Sequence, residues 1–259
     1  MPPCPSEEGH TGEGPRLDIW HIRAGTPVAR AERILSVEEI DYARRLRKPL
    51  QRSCWIYFRV ALREILSNYS GAAATALRFV TGVRGKPALA GSSELHFNLS
   101  HSADTALVAV THAAPVGVDV EYERPLDDME SVAKQVFSQA EQSEFRSLLG
   151  AQRINYFYKI WTGKEAVIKA NGAGLSIAPH TLHLGDPADT DWQLLCATGS
   201  TPPASVYRVR RLSMVKGLTA AVAIEVPAAQ PFAPPFLNSR RYTPAQQSSP
   251  DYHLAQALV

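Results

Sequence analysis

Asp119 and Glu121 interrupt an apolar stretch that reads GVDVEYERP from Gly117 to Pro125. In a strand, side chains two residues apart point to the same face, with Cα atoms about 6.5 Å apart. Two neighbouring carboxylates repel each other, and a hard divalent cation such as Mg²⁺ removes that cost. A sheet with one face in water explains the same pattern without a metal. This stretch alone therefore leaves both interpretations open.

A second stretch with chemical potential is WTGKEAVIK, from Trp161 to Lys169. Helical spacing places Lys164 inside an apolar arc, so its ammonium must reach past that arc or find a partner. Glu165 lies four residues before Lys169, a spacing that is typical of a surface ion pair. TGKE also resembles the end of a P-loop, but that motif requires Gly where this chain has Tyr158, and Ser or Thr in place of Glu165. We therefore reject the P-loop.

Other polar residues stand where they could meet a phosphate. Ser100 and His101 end the strand-like segment FNLSHS, although a single histidine at such a position is more often structural than catalytic. Lys86 follows a glycine in GKP. Basic runs are usually solvated helix surfaces, and that explanation also covers the run Arg44, Arg45, Arg47, Lys48 and Arg52.

The elements that must position these residues occur twice along the chain. Ser36 with Glu39, and Ser138 with Glu141, both have the S-x-x-E spacing of a capping box, and a long amphipathic helix follows each box. Alternating strand-like segments follow each long helix. This order indicates internal duplication. It predicts an α+β fold of two similar halves, related by a pseudo-twofold axis, with the functional site between them.

Composition at the two ends and the duplicated pattern between them divide the chain into four segments. We expect a disordered, proline-rich segment at 1–16, an amino-terminal half at 17–110 and a carboxy-terminal half with the carboxylate motifs at 111–226. Residues 227–259 are rich in Pro, Gln and Ala and are predicted to be a linker or tail.

Composition also excludes several classes of protein. A formal net charge of +2 over 259 residues gives no large field for nonspecific nucleic-acid binding. No apolar run approaches the roughly 20 residues that a membrane span needs, and the first residues lack the apolar core of a secretory signal. Cys4, Cys54 and Cys196 are scattered, which argues against a disulfide framework or a zinc site. We expect a cytoplasmic monomer with no nucleic-acid or membrane partner.

Taken together, the motifs resemble those of the Sfp-type 4′-phosphopantetheinyl transferases over roughly residues 17–226. GVDVE combined with W-x-x-K-E-A-x-x-K at this separation is the specific part of the resemblance. The motifs occur in the order GKP (85–87), FNLSHS (97–102), GVDVE (117–121), FS..E (137–141) and WTGKEAVIKANGAGL (161–175).

The resemblance implies an enzyme that transfers the 4′-phosphopantetheine arm of coenzyme A to a serine of apo acyl or peptidyl carrier proteins, with release of 3′,5′-ADP. Such carriers serve fatty-acid, polyketide or nonribosomal-peptide synthesis. It implies a fold of two similar α+β halves with the site between them. It also implies Mg²⁺ ligands at Asp119, Glu121 and Glu165.

Further roles follow from the same resemblance. Lys169 is expected to reach the coenzyme A pyrophosphate. The chemistry of the transfer, rather than the resemblance, leads us to expect Glu165 to act as base for the carrier serine, directly or through a water, and the weak basicity of a carboxylate bound to Mg²⁺ favours the water. Glu141 matches a carboxylate position near the site. Contacts to coenzyme A are expected from Arg52, Lys86, Ser100, His101, Lys164 and Lys169.

Two other classes of protein share part of this pattern. A Mg²⁺ nuclease also uses Asp-x-Glu on a strand, but its usual spacing requires a lysine where this chain has Glu123. A non-catalytic module that binds coenzyme A or a nucleotide would not need three carboxylates of the metal-binding type. Modification of a carrier serine separates the transferase from both.

Overall fold

The computed structural model describes residues 15–25, 31–82, 86–91, 94–172, 178–185, 191–195, 205–228 and 234–244. Within these ranges, no helix is long and apolar enough to cross a membrane. Several predictions concern positions outside the described residues: the disorder of 1–14, the end of the tail at 245–259, Cys4, Cys196, Gly85, and residues 173–175 of the last motif.

The described elements follow one another in a strand and helix order that repeats. They are β1 (Arg16–Arg23), α1 (Ala31–Ile34), α2 (Val37–Arg45), α3 (Pro49–Ser70), β2 (Phe79–Thr81), β3 (Pro87–Leu89), β4 (His96–Ser102), β5 (Thr105–Thr111), β6 (Val116–Tyr122), α4 (Met129–Val136), α5 (Gln139–Ser147), α6 (Gly150–Asn171), β7 (Gln193–Leu195), β8 (Ser205–Leu212), β9 (Leu218–Pro227) and β10 (Phe236–Arg241).

Two four-stranded sheets form the centre of the molecule, with strand orders β10–β1–β5–β4 and β6–β9–β8–β7. The outer face of the first sheet packs on α3, and that of the second sheet packs on α6. The inner faces pack on each other through a cluster that includes Leu17, Ile19, Leu107, Val116, Val118, Val120, Val222 and Ile224. The α+β class predicted from the sequence is confirmed.

The two capping boxes are the clearest trace of duplication. In each box the serine Oγ accepts the amide N–H of the glutamate, and the glutamate side chain accepts the amide N–H of the serine. Both glutamates are buried, and each also pairs with a cation of the long helix that follows. The pairs are Glu39 with Arg63 of α3 and Glu141 with Lys164 of α6.

The two long helices also match in length and in ending. Both α3 and α6 have 22 residues and end at a glycine in the left-handed region, where φ is +69° at Gly71 and +68° at Gly172. Arg63 and Lys164 each lie eight residues before that glycine. The same local solution has therefore been used twice to seat a long helix on a sheet.

β10 lies within the segment that the sequence predicted to be a linker or tail. It pairs in parallel with β1, with Asp18 opposite Asn238 and Trp20 opposite Arg240. Asp18 is 1% exposed and accepts hydrogen bonds from Asn238 Nδ2 at 2.8 Å and Arg240 Nε at 3.0 Å. The strand was missed because its sequence, FLNSRR, lacks an apolar alternation, and its partner is more than 200 residues away.

Gly117 sets the distance between β6 and α6. A Cβ atom at this position would lie 2.1 Å from the carbonyl oxygen of Ala166 and 2.3 Å from the amide nitrogen of Ala170. Both atoms belong to the backbone of α6 and cannot rotate away. Only glycine allows the helix to lie this close to the strand that carries Asp119.

We expect Gly117→Ala to destabilise the protein by about 1–3 kcal/mol or more, since α6 must move away from β6. Thermal unfolding followed by circular dichroism measures this loss. Gly25→Ala is the matched control, because a Cβ there makes only an ordinary contact of 3.6 Å with Tyr57. Equal melting temperatures for the two variants would contradict this account of Gly117.

Candidate active site

The candidate site lies where β4 of the first sheet contacts β6 of the second. Alternate side chains of β4 carry the hydrogen bonds across this junction. Asn98 Oδ1 accepts the amide N–H of Val118 at 2.9 Å, and Ser100 Oγ donates to Oδ1 of Asp119 at 2.8 Å. The two halves of the molecule are therefore joined, at the candidate site, by polar side chains.

Asp119 is the most deeply buried carboxylate at this junction, with 3% of its surface exposed. Lys169, near the end of α6, donates from Nζ to Oδ1 of Asp119 at 2.6 Å and to Oγ of Ser100 at 2.9 Å. The other carboxylate oxygen, Oδ2, is buried and has no hydrogen-bond partner. A buried carboxylate oxygen without a donor is costly, and a ligand with positive charge would satisfy it.

Glu121 and Glu165 extend the negative charge around Asp119. Burial and the charge of Asp119 raise the pKa of Glu121, against the lowering effect of its hydrogen bond from Ser102. Burial, followed by the charge of Asp119, raises the pKa of Glu165, and Lys169 opposes the shift. Glu121 therefore senses the charge of Asp119, and Glu165 senses the charges of both Asp119 and Glu121, as expected if the three side chains border one cleft.

These carboxylates fit a hard cation chemically, although they do not form a finished ligand cage. Among the described residues, no three Asp, Glu, His or Cys side chains stand close enough together to hold a metal ion. Mg²⁺ takes oxygen ligands, commonly one or two carboxylates together with substrate phosphates. The partnerless Oδ2 of Asp119 and the mutual repulsion of three carboxylates favour such an ion. Binding through all three requires their side chains to move together.

Lys86 crosses from the first half to the second. Its Nζ donates to the carbonyl oxygens of Val116 at 2.8 Å and Ala170 at 3.1 Å, so it holds the start of β6 and the last turn of α6. Burial lowers the pKa of Lys86 to about 8, against the raising effect of Glu225. Lys86 also lines a cavity of about 290 Å³ beside Gly172, at the end of α6.

His101 and Ser100 are neighbours in the chain but point to opposite faces of β4. The ring of His101 stacks on Phe58 of α3, with centroids 5.6 Å apart, and lines a cavity of about 190 Å³. Partial burial of the ring, followed by the charge of Lys169, lowers the pKa of His101. Arg52 donates hydrogen bonds to the carbonyl oxygen of Leu46, six residues earlier in the chain. Among the described residues, none of its hydrogen bonds reaches Asp119, Glu121 or Glu165.

Lys164, for which the sequence predicts a contact with coenzyme A, makes its hydrogen bonds inside the protein. Its side chain is fully buried, and Nζ donates to Oε2 of Glu141 at 2.5 Å and to the carbonyl oxygen of Val136 at 2.9 Å. Glu141 also accepts the amide N–H of Leu184. An ammonium enclosed in this way holds α6 to the α4–α5 region and does not face the cleft.

Sequence reasoning missed two residues that take part in the junction, Asn98 and Ser102. Both belong to FNLSHS, and the alternation of polar and apolar residues in that segment put them on the same face as Ser100. What the sequence could not show is that this face meets β6. Ser102 donates to Oε2 of Glu121 at 2.7 Å across that contact.

Much of the chain is similar in sequence to known proteins. Residues 115–223, which include β6, α6 and β9, match the sequence model of the 4′-phosphopantetheinyl transferase superfamily. The chain is 38% identical over 166 residues to the 4′-phosphopantetheinyl transferase HetI of Nostoc sp. (strain PCC 7120), covering 62% of this chain and 70% of that protein. It is 28% identical over 166 residues to the 4′-phosphopantetheinyl transferase Sfp of Bacillus subtilis, covering 62% and 73%. Against the 4′-phosphopantetheinyl transferase AcpT of Salmonella typhimurium, identity is 37% over 123 residues, covering 48% and 60%.

We expect Glu165→Gln to stabilise the metal-free protein. Because the pKa of Glu165 is raised in the folded state, folding takes up a proton between the ordinary and the raised value. Stability therefore falls as the pH rises through that window, and it is lowest above the raised value. The amide removes the buried charge, so the melting temperature in EDTA at pH 7 should rise by roughly 1–4 °C.

The exposed Glu144 provides the matched control, since Glu144→Gln removes the same charge from the protein surface. The gain for Glu165→Gln should shrink as the pH is lowered toward 5, while the control stays close to the parent protein. A melting temperature that falls for Glu165→Gln in EDTA would contradict the repulsion described for these carboxylates.

Proposed function

Because the chain belongs to the 4′-phosphopantetheinyl transferase superfamily, whose members transfer the phosphopantetheine group of coenzyme A to carrier proteins, we propose that this transfer takes place at the junction of β4 and β6. The chain is accordingly a transferase that activates carrier proteins. The observation that carries the proposed location is the contact of Lys169 with Asp119 and Ser100. It brings together residues of three separate family motifs.

Asp119, Glu121 and Glu165 are the proposed ligands of a Mg²⁺ ion. When bound, such an ion neutralises the charge of the coenzyme A pyrophosphate and stabilises the leaving phosphate. The partnerless Oδ2 of Asp119 supports the assignment. The two halves of the chain both contribute, since Ser100 of the first half holds Oδ1 of this carboxylate.

Lys169 is proposed to neutralise Asp119 when no substrate is bound and to contact the pyrophosphate when coenzyme A is bound. Without ligand, its ammonium neutralises Asp119 at 2.6 Å. Its side chain is 29% exposed and is therefore not enclosed by protein, so the ammonium can turn toward the cleft. We assign it to the pyrophosphate, where a positive charge stabilises the oxygens that gain negative charge in the transition state.

In the transfer itself, the hydroxyl oxygen of the carrier serine forms a bond to the β-phosphorus of coenzyme A. The bond from that phosphorus to the oxygen of the α-phosphate breaks, and 3′,5′-ADP leaves. Glu165 takes the serine proton, directly or through a water. Burial raises the pKa of Glu165 in the metal-free protein. A carboxylate that binds Mg²⁺ is a weaker base, which favours transfer of the proton through a water.

We assign the phosphates and the adenosine end of coenzyme A to Lys86, Ser100 and His101. A contact of Arg52 with coenzyme A is proposed on the resemblance alone. Lys86 and His101 line two neighbouring cavities, which share Pro87 and Phe97 in their linings. We leave Lys164 out of this set, because its ammonium is enclosed by Glu141. Glu141 correspondingly receives a structural role.

The remaining proposals concern the organisation of the enzyme. We propose that residues 17–110 and 111–226 act as two halves of one active unit, with β10 added to the first. Because one chain supplies residues from both halves, we propose a monomer. We also propose a cytoplasmic enzyme that has no nucleic-acid or membrane partner.

A single assay tests the proposed function. The protein is incubated with coenzyme A, Mg²⁺ and an apo carrier protein, and the carrier is examined by intact-protein mass spectrometry. We expect an adduct with the mass of phosphopantetheine on the wild-type carrier and none on a carrier whose acceptor serine is replaced by alanine. If several acyl and peptidyl carriers were tested and none acquired the adduct, the proposal would be overturned.

We expect Asp119→Ala and Glu165→Ala to abolish transfer while the protein stays folded, and Lys169→Met to lower kcat at least about 100-fold. Lys159→Met is the matched control, since this lysine lies on the same helix and lines a different cavity. Steady-state rates with a saturating carrier measure the effect, and circular dichroism confirms folding. A Glu165→Ala variant with the activity of the parent would remove Glu165 from the mechanism.

A further inference from the structure

Ser102, at the end of β4, makes a contact that the proposed roles do not use. We propose that Ser102 is a positioning residue of the transferase, which holds one oxygen of Glu121 so that the other oxygen stays available to a divalent cation. The proposal rests on the proposed function, because Glu121 matters only if the β4–β6 junction is the site of transfer. It assigns a role in catalysis to a residue that does not touch the substrates.

The hydrogen bonds of Ser102 fix the direction of its hydroxyl group. Oγ accepts the amide N–H of Tyr122 at 3.2 Å and donates to Oε2 of Glu121 at 2.7 Å. A serine hydroxyl has a single hydrogen, and the amide N–H of Tyr122 is a donor that occupies one of the lone pairs of the oxygen. The hydroxyl hydrogen of Ser102 is therefore directed at the carboxylate of Glu121. Oε1 of Glu121 accepts no hydrogen bond from the described residues.

Ser100 repeats this arrangement two residues earlier on the same strand. Its Oγ accepts from Nζ of Lys169 at 2.9 Å and donates to Oδ1 of Asp119 at 2.8 Å. Oδ2 of Asp119 is left without a partner. Each of the two carboxylates on β6 thus has one oxygen held by a serine of β4 and one oxygen left over.

The repeat is a consequence of strand geometry. Residues two apart share a face, so Ser100 and Ser102 meet Asp119 and Glu121 with the same spacing. Glu121 has a longer and more flexible side chain than Asp119, and it is only half-buried, so packing alone does not fix it. The hydrogen bond from Ser102 supplies that restriction from the other half of the molecule.

Ligands of metal ions are generally oriented by partners of this kind, whose loss costs about 10- to 100-fold in metal affinity or activity. We therefore expect Ser102→Ala to raise the Mg²⁺ concentration needed for half-maximal transfer about 10-fold, with a smaller change at saturating Mg²⁺. Ser102→Thr keeps the hydroxyl and suits a strand, and it should restore the response to within about threefold of the parent.

Metal binding is measured as well as the transfer rate, under conditions in which no transfer takes place. Binding of Mn²⁺ to each protein in the presence of coenzyme A, without carrier, is measured by electron paramagnetic resonance of the free ion. We expect affinity about 10-fold weaker for Ser102→Ala than for the parent, and near-parental affinity for Ser102→Thr. Unchanged or tighter Mn²⁺ binding by Ser102→Ala would overturn the proposal, since the serine would then be neutral or would hold Glu121 away from the ion.

Ser36→Ala controls for a general loss of stability. Ser36 caps α2 in the first half, and its removal destabilises that helix without touching β4 or β6. It should lower the melting temperature and leave the Mg²⁺ response unchanged. If Ser36→Ala shifted that response as much as Ser102→Ala does, the effect would be one of stability and the positioning role would be lost.

The outcome for Ser102 is separable from that for the proposed function. If the parent protein forms no carrier adduct, the transferase assignment itself fails. If the parent forms the adduct and Ser102→Ala keeps the parental dependence on Mg²⁺ and Mn²⁺, only the positioning role fails.

Discussion

The burial of Asp119 is the constraint around which the candidate site is built. A carboxylate that is 3% exposed needs a cation or hydrogen-bond donors, because an unpaired charge in a protein interior is strongly destabilising. Lys169 and Ser100 meet that need at one oxygen, and they come from different halves of the molecule. Gly117 makes the arrangement possible, since only its lack of a side chain lets α6 bring Lys169 close enough.

The first half also buries an aspartate on its first strand, but satisfies it in another way. Asp18 on β1 accepts from Arg16, Asn238 and Arg240 at Oδ1 and from the hydroxyl of Tyr69 at Oδ2. Both oxygens have donors, so nothing is left for an ion to satisfy. A similar framework of strands and helices therefore holds Asp18, which has donors at both carboxylate oxygens, in one half, and Asp119, which has donors at only one, in the other. Only Asp119 is suited to bind a ligand.

Local signals in the sequence predicted the parts of this structure that depend on local interactions. The capping boxes of Ser36 and Ser138 and the alternation around Asp119 depend on residues a few positions apart, and the structure has them as predicted. The partner of Lys164 could not be predicted, since Glu141 lies 23 positions away and joins it only after folding. The contact of Ser102 with β6 likewise depends on how two sheets pack, which no local pattern encodes.

β10 makes the first half of the molecule discontinuous along the chain. The sheet that begins with β1 is completed only after the whole second half has been traversed, so the second half is topologically an insertion between β5 and β10, two strands of the same sheet. A fragment cut at the apparent boundary near residue 110 would lack the donors of Asn238 and Arg240 and leave Asp18 partly unpaired. Pairing between such distant segments also raises the contact order, which predicts that β10 docks late in folding.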